Sequence, residues 1–155
     1  MEKIYDENVY KAKVIFDGQM FDAYEFVAKL VRSAEESIIL IDKRIDETTL
    51  SYLINKRPKA KVLLLTQKVG KRLNLAIQKE NEKNNCYVVK LFTFCQDTFL
   101  IIDGKRIYHL GASLNQLGKM WLSFIRTDKV SVEPLVIAAE KRMDPDAPVR
   151  KPRYY

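Results

Sequence analysis

The sequence predicts an α/β fold, a mixed β-sheet flanked by helices. Three observations carry this reading. First, short continuous apolar runs, Ser37–Ile41 with its β-branched residues, Val62–Leu65 and Phe99–Ile102, have the composition of strands buried on both faces. Strands of that kind belong to parallel or mixed sheets covered by helices. Second, stretches with helical spacing lie between these runs. Third, turn signals such as Asp17-Gly18, Pro58 and Gly104-Lys105 separate the segments. Strands that alternate with helices along a chain pack as layers around one sheet.

In chain order, residues 9–16 alternate loosely and read as a strand that stops at Asp17-Gly18. Phe21, Tyr24, Phe26, Val27, Leu30 and Val31 then mark one helical face, with Asp22 in the first turn, where a carboxylate suits the helix dipole. Ser37–Ile41 is a buried strand, and residues 46–55 form a short helix with Asp46 as its N-cap. Residues 60–66 are a second buried strand. Residues 71–84 are a polar helix carrying Leu73, Leu75 and Ile77, and residues 86–94 return as a strand. Residues 99–103 and 106–110 form a hairpin across Gly104-Lys105. Residues 114–122 read as a short helix containing Trp121, residues 123–130 as a strand, and residues 133–143 as a helix. The expected organisation is one domain over residues 1–143. A basic tail follows over residues 144–155, with Pro145, Pro148 and Pro152, extended and without a fixed fold.

Composition narrows the function classes. The 155 residues suit one domain, and 47% apolar with 30% charged residues excludes a disordered chain. No apolar run approaches the roughly 18 residues that span a bilayer, and Met1–Asn8 is polar with no apolar signal core, so a cytoplasmic protein with no membrane partner is expected. Cys86 and Cys95 form neither a CxxC pair nor a disulfide framework. With one histidine there is no recognisable zinc spacing, so neither a metal nor a cofactor is expected. Gly18, Gly70, Gly104, Gly111 and Gly118 build neither GxGxxG nor a Walker loop, and there is no GxSxG elbow around Ser113. The net charge of +7 raises the local concentration of polyanions, which points towards nucleic acid.

The stretch Gln96-Asp-Thr-Phe-Leu-Ile-Ile-Asp103, followed by Gly111-Ala-Ser-Leu-Asn115, resembles the core motif of the phospholipase D superfamily. That motif is His, any residue, Lys, four residues, Asp, then a Gly/Ser-rich element ending in Asn. Asp103, Gly111, Ser113 and Asn115 match it, whereas Gln96 stands at the place of the nucleophilic histidine and Thr98 at that of the lysine. The segments from Phe16, from Ile39 (Ile-Leu-Ile-Asp42-Lys-Arg-Ile-Asp46) and from Tyr108 resemble a bacterial branch in which such a domain is often joined to an ORF6N-type DNA-binding domain. The resemblance covers roughly residues 14–127, and no ORF6N-type domain is seen in this chain.

The resemblance implies a covalent phosphohistidine intermediate, a second histidine as acid, lysines on the phosphoryl oxygens and an Asp that orients a ring. It also implies a homodimer, or a heteromer with an intact homologue that supplies the missing histidine. An amide is neither basic nor nucleophilic at neutral pH, and threonine carries no charge. The expectation is therefore a catalytically degenerate phospholipase D-like domain acting as a nucleic-acid-binding or assembly module. Gln96, Thr98, Asp103, Ser113 and Asn115 would be its remnant phosphate pocket. The alternative is a metal-independent nuclease or phosphodiesterase with a rearranged site using His109 and Asp103. Asp42 and Asp46 read either as lining that pocket or as a solvated loop and a helix cap. Lys56, Arg57, Lys68, Lys71, Arg72, Lys105 and Arg106 are the candidate nucleic-acid contacts, although the groups around Pro58 and Gly70 lie at opposite ends of one strand.

Overall fold

A computed structural model describes residues 12–15, 20–93, 95–117, 122–127 and 132–142. The elements run β1 (Ala12–Ile15), α1 (Met20–Ser33), β2 (Ser37–Ile41), α2 (Glu47–Leu53), β3 (Lys61–Thr66), α3 (Lys71–Lys83), β4 (Tyr87–Leu91), β5 (Thr98–Ile102), β6 (Arg106–Leu110), β7 (Leu122–Thr127) and α4 (Glu133–Glu140). The described strands join in one seven-stranded sheet of order β1-β7-β6-β5-β2-β3-β4. β2, β3 and β4 are parallel, while β5, β6, β7 and β1 continue the sheet antiparallel. The mixed sheet expected from the sequence is therefore present.

The continuous apolar runs are explained by a helix layer on each face. Ile38, Leu40, Val62, Leu64, Leu100 and Ile102 meet Phe26, Leu30, Leu50, Leu53, Leu73 and Ile77 from α1, α2 and α3. The alternate residues Ile39, Ile41, Leu63, Leu65, Phe99 and Ile101 pack with Val136 and Ala139 of α4 on the other face. A strand with period-two side chains between two layers has no polar position to offer, so both β2 and β3 read as unbroken hydrophobic stretches. In α3, Leu73 and Ile77 are four residues apart and buried together, whereas Leu75 turns out to solvent.

Most expected elements are present, with ends that differ by up to three residues. The exception follows β6. Where a helix over 114–122 is expected, there is only a 3-10 turn, Leu114–Gln116. It stops because Leu117 is extended, at φ −55° and ψ 131°, and β7 begins at Leu122 to pair with β6 and β1. Trp121 and the tail over 144–155 lie outside the described residues.

Asp103 organises one end of the sheet. Asp103 and Gly104 both have positive φ, 57° and 66°, in the tight turn joining β5 to β6. Gly and Asp are among the residues that accept this conformation most readily. The Asp103 carboxylate reaches across to the loop before β2 and accepts from the backbone N–H groups of Glu35, Glu36 and Ser37 at 2.7–3.1 Å. Partial burial pushes its pKa up, but those N–H donors and the Arg106 charge outweigh it, so the carboxyl sits below the usual carboxylate range. Asp103→Ala is expected to lower stability by about 2–3 kcal/mol, through unmade hydrogen bonds and a Cβ residue without a polar tip at positive φ. Because the folded pKa is depressed, this contribution is present above the unfolded carboxylate value and lost as pH falls through the folded one. Urea unfolding of wild type and Asp103→Asn should therefore differ at neutral pH and converge under strong acid. An unchanged gap would show that the charge of Asp103 is not what holds the turn.

Candidate functional site

Three segments converge at the end of the sheet opposite Asp103. β2 and β3 deliver their C-terminal ends there, and β5, antiparallel to β2, begins there, with Ile41 opposite Phe99. The chain leaving β2 carries Asp42, Lys43 and Arg44. The chain entering β5 carries Gln96 and Asp97, and the chain leaving β6 carries Gly111 to Gln116. Together they enclose a cavity of about 470 Å³ lined by Lys43, Arg44, Gln96, Asp97, Thr98, His109, Ser113 and Asn115, among others.

Five of the expected site residues, Gln96, Thr98, His109, Ser113 and Asn115, thus share one cavity. Asp103 does not. It sits five residues beyond Thr98, about 16 Å away at the rise of an extended strand, with its carboxylate committed to the backbone before β2. Its expected place in a phosphate pocket, and its expected role as a partner of His109 or as the orienter of a catalytic ring, are corrected by this geometry. An Asp at the far end of the strand can reach nothing at its start.

His109 lies on β6 directly opposite Phe99, and the two rings stack at 4.6 Å with an interplanar angle of 14°. Its Nε2 is 3.5 Å from Oδ2 of Asp97. The ring is therefore held on one face by a buried phenyl group and at its edge by an acidic loop. Cys95, next to Gln96, donates its Sγ–H towards the Asp97 carbonyl, and burial pushes its thiol up, so the reactive thiolate is disfavoured.

Two carboxylates hold the loop after β6. Asp42 is fully buried (0% exposed). Its Oδ1 accepts the Arg44 N–H at 3.1 Å and its Oδ2 the Leu114 N–H at 2.9 Å, and the Ser113 side chain lies beside it. Burial pushes its pKa up, these bonds pull it back, and the net direction is upward. Asp46 caps α2 as expected. Its carboxylate accepts the Thr49 N–H at 3.1 Å, while the Thr49 hydroxyl accepts the Asp46 N–H at 3.2 Å. Its second oxygen accepts Nδ2 of Asn115 at 3.2 Å. Asp46 is thus a cap, whereas Asp42 is a buried tie instead of a solvated loop residue. Gly111 permits the close pairing of β6 with β7. Its N–H donates to the Ser123 carbonyl at 2.7 Å, and a Cβ there would collide with the Ser123 hydroxyl.

The candidate basic residues divide between the two ends of the sheet. Lys68, Lys71 and Arg72 are exposed at the cavity end, beyond the cavity wall, and Arg72 approaches Glu47 at 4.0 Å. Lys56, Arg57, Lys105 and Arg106 lie at the other end. There Lys56 Nζ donates to the Arg57 carbonyl and sits over the Tyr87 ring, Arg57 Nε donates to the Arg32 carbonyl, and Arg106 donates to Ser33 Oγ at 2.8 Å. Lys43 and Arg44, which line the cavity itself, were not among the candidates. Their signal is positional, since two cations directly follow a strand buried on both faces, where α/β sites open. Asp46→Ala should cost about 1 kcal/mol through the lost cap. It should also speed hydrogen exchange in residues 114–117. A cap loss with unaltered exchange there would show that Asn115 is held by something else.

No family model matches the sequence, and no curated protein is significantly similar to it. Among solved structures, NucT from Helicobacter pylori matches with a TM-score of 0.61 at 13% identity, over 84% of this chain and 95% of that one. The archaeal chromatin protein TrmBL2, whose structure shows a novel mode of DNA binding, matches with a TM-score of 0.52 at 14% identity. That match covers 90% of this chain but 53% of TrmBL2, so the chain spans about half of that protein. At these identities the likeness concerns the fold, and it carries the expected α/β, phospholipase D-like fold.

Proposed function

We propose that this chain binds nucleic acid by its phosphate backbone at the cavity end of the sheet and does not cleave it. The observation that carries this reading is the cavity itself. It gathers Lys43 and Arg44 with the polar side chains of Asn115 and Gln116 and with His109, whose edge is faced by the one carboxylate of the lining, Asp97, and it lies where the resembled motif places phosphoryl chemistry. Cationic and amide donors around a concave site suit a phosphodiester anion. Lys68, Lys71 and Arg72 extend the positive surface at the same end. The DNA binding of TrmBL2 and the net charge of +7 support the same class of ligand.

The residues present do not supply the covalent mechanism. Gln96 has no nucleophilic nitrogen, Thr98 has no charge and is buried, and Cys95 is held towards its thiol form. The chain contains one histidine, where in-line transfer through phosphohistidine needs one group to attack and another to protonate the leaving oxygen. A binding or assembly module, as a homodimer or beside an intact homologue, is the reading that needs none of these groups.

Purified protein should bind DNA or RNA with an affinity that falls about 10–100-fold between roughly 50 and 200 mM salt, as expected for a handful of neutralised phosphates. It should leave both polymers and activated phosphodiesters intact, with or without EDTA. Salt-insensitive or absent binding would overturn the nucleic-acid reading. EDTA-resistant cleavage that disappears in His109→Ala would instead make the His109–Asp97 pair the centre of a rearranged phosphodiesterase.

A further inference from the structure

The structure assigns Lys43 and Arg44 as the phosphate-binding cations of the cavity and Asp42 as the residue that positions them. This assignment rests on the nucleic-acid reading above and specifies it. A bound phosphodiester needs positive charge and directed donors at one place. Thr98, at the motif's lysine position, is 5% exposed and neutral. The charge must therefore come from another segment, and Lys43 and Arg44 are exposed and line the same cavity, just beyond the end of β2.

Ser113 lines the cavity with its side chain beside the Asp42 carboxylate. Asn115 gives one amide hydrogen to Asp46 and keeps a second. Cations from the β2–α2 loop and an amide from the loop after β6 thus line one cavity.

Asp42 joins these two loops. One of its oxygens accepts the Arg44 N–H and the other accepts Leu114 N–H, so the cation-bearing loop and the Ser113–Asn115 loop hang from a single buried carboxylate. An asparagine there cannot accept at both positions, because one oxygen becomes an amino group facing an N–H. The substitution also removes a negative charge from beside the site. On charge alone it would strengthen anion binding, whereas loss of positioning would weaken it, so the two effects have opposite signs.

The test uses the full chain and a fluorescein-labelled 12-residue single-stranded oligodeoxyribonucleotide, with an abasic strand of equal length as the second probe. Lys43→Gln/Arg44→Gln should weaken binding of both probes about tenfold or more and flatten the logarithmic salt slope by about 1–2. Lys56→Gln/Lys105→Gln, with the same change in net charge at the other end of the sheet, should stay within about threefold of wild type. Equal losses in the two double variants would overturn the site while leaving nucleic-acid binding intact. Salt-insensitive or absent wild-type binding would overturn the reading beneath it. Loss confined to the base-bearing probe would overturn phosphate as the ligand group. Asp42→Asn should weaken binding several-fold, and unchanged or tighter binding would overturn the positioning role. If that variant does not fold, Ser113→Ala replaces it, measured in wild-type and Lys43→Gln/Arg44→Gln backgrounds. A loss that vanishes in the second background is expected, and no loss, or an equal loss in both, would overturn the coupling of that loop to the cations through Asp42.

Discussion

The structure depends on a five-residue strand whose two ends are each tied by one carboxylate. β2 lies between a parallel and an antiparallel neighbour, so it is the seam where the two halves of the sheet meet. At its start, Asp103 gathers the backbone donors of Glu35, Glu36 and Ser37 and so fixes the β5–β6 turn against the α1–β2 loop. At its end, Asp42 gathers Arg44 and Leu114 and so fixes the loops that enclose the cavity. Burial of Ile38–Ile41 on both faces holds the strand in register between the two ties. Neither carboxylate lines the cavity. Each acts through backbone it holds, and an ionised acceptor of several N–H groups is well suited to that task.

Much of this architecture was legible in the sequence because β2, β3 and β5 are buried on both faces and so carry an uninterrupted hydrophobic signal. The capping of α2 was legible as well, since Asp46 stands at the helix start and the cap is a local interaction. The segment after β6 was not. Leu114, Leu117 and Leu122 suggest helical continuation, but a turn whose N–H is taken by a carboxylate 72 residues earlier, and whose exit is drawn into a strand, is fixed by tertiary contacts. Periodicity carries no information about such contacts.

The site was legible to a similar extent. Matching motif positions brought Gln96, Thr98, His109, Ser113 and Asn115 together, because they flank the adjacent ends of β5 and β6. Asp103 was misplaced for a geometric reason. Within a motif a five-residue separation looks close, yet along an extended strand it spans the whole sheet. Lys43 and Arg44 escaped notice for the converse reason, since they are more than 50 residues from the motif and reach it only through the β2–β5 pairing. Charge content alone could not separate them from Lys56, Arg57, Lys105 and Arg106, several of whose side chains fasten loops at the other end.

The two ties of β2 also load the fold oppositely as the solution becomes acidic. The Asp42 carboxyl is raised above 3.8 and that of Asp103 is lowered below it. On moving down from neutral pH, Asp42 takes up its proton first, in a range where the folded chain binds that proton more readily than the unfolded one, so this uptake favours folding. Asp103 follows at lower pH with the opposite sign. Acid therefore relaxes the strain of a buried charge at the cavity end before it loosens the turn at the other, and these two groups alone would give a stability maximum in mild acid instead of a steady decline.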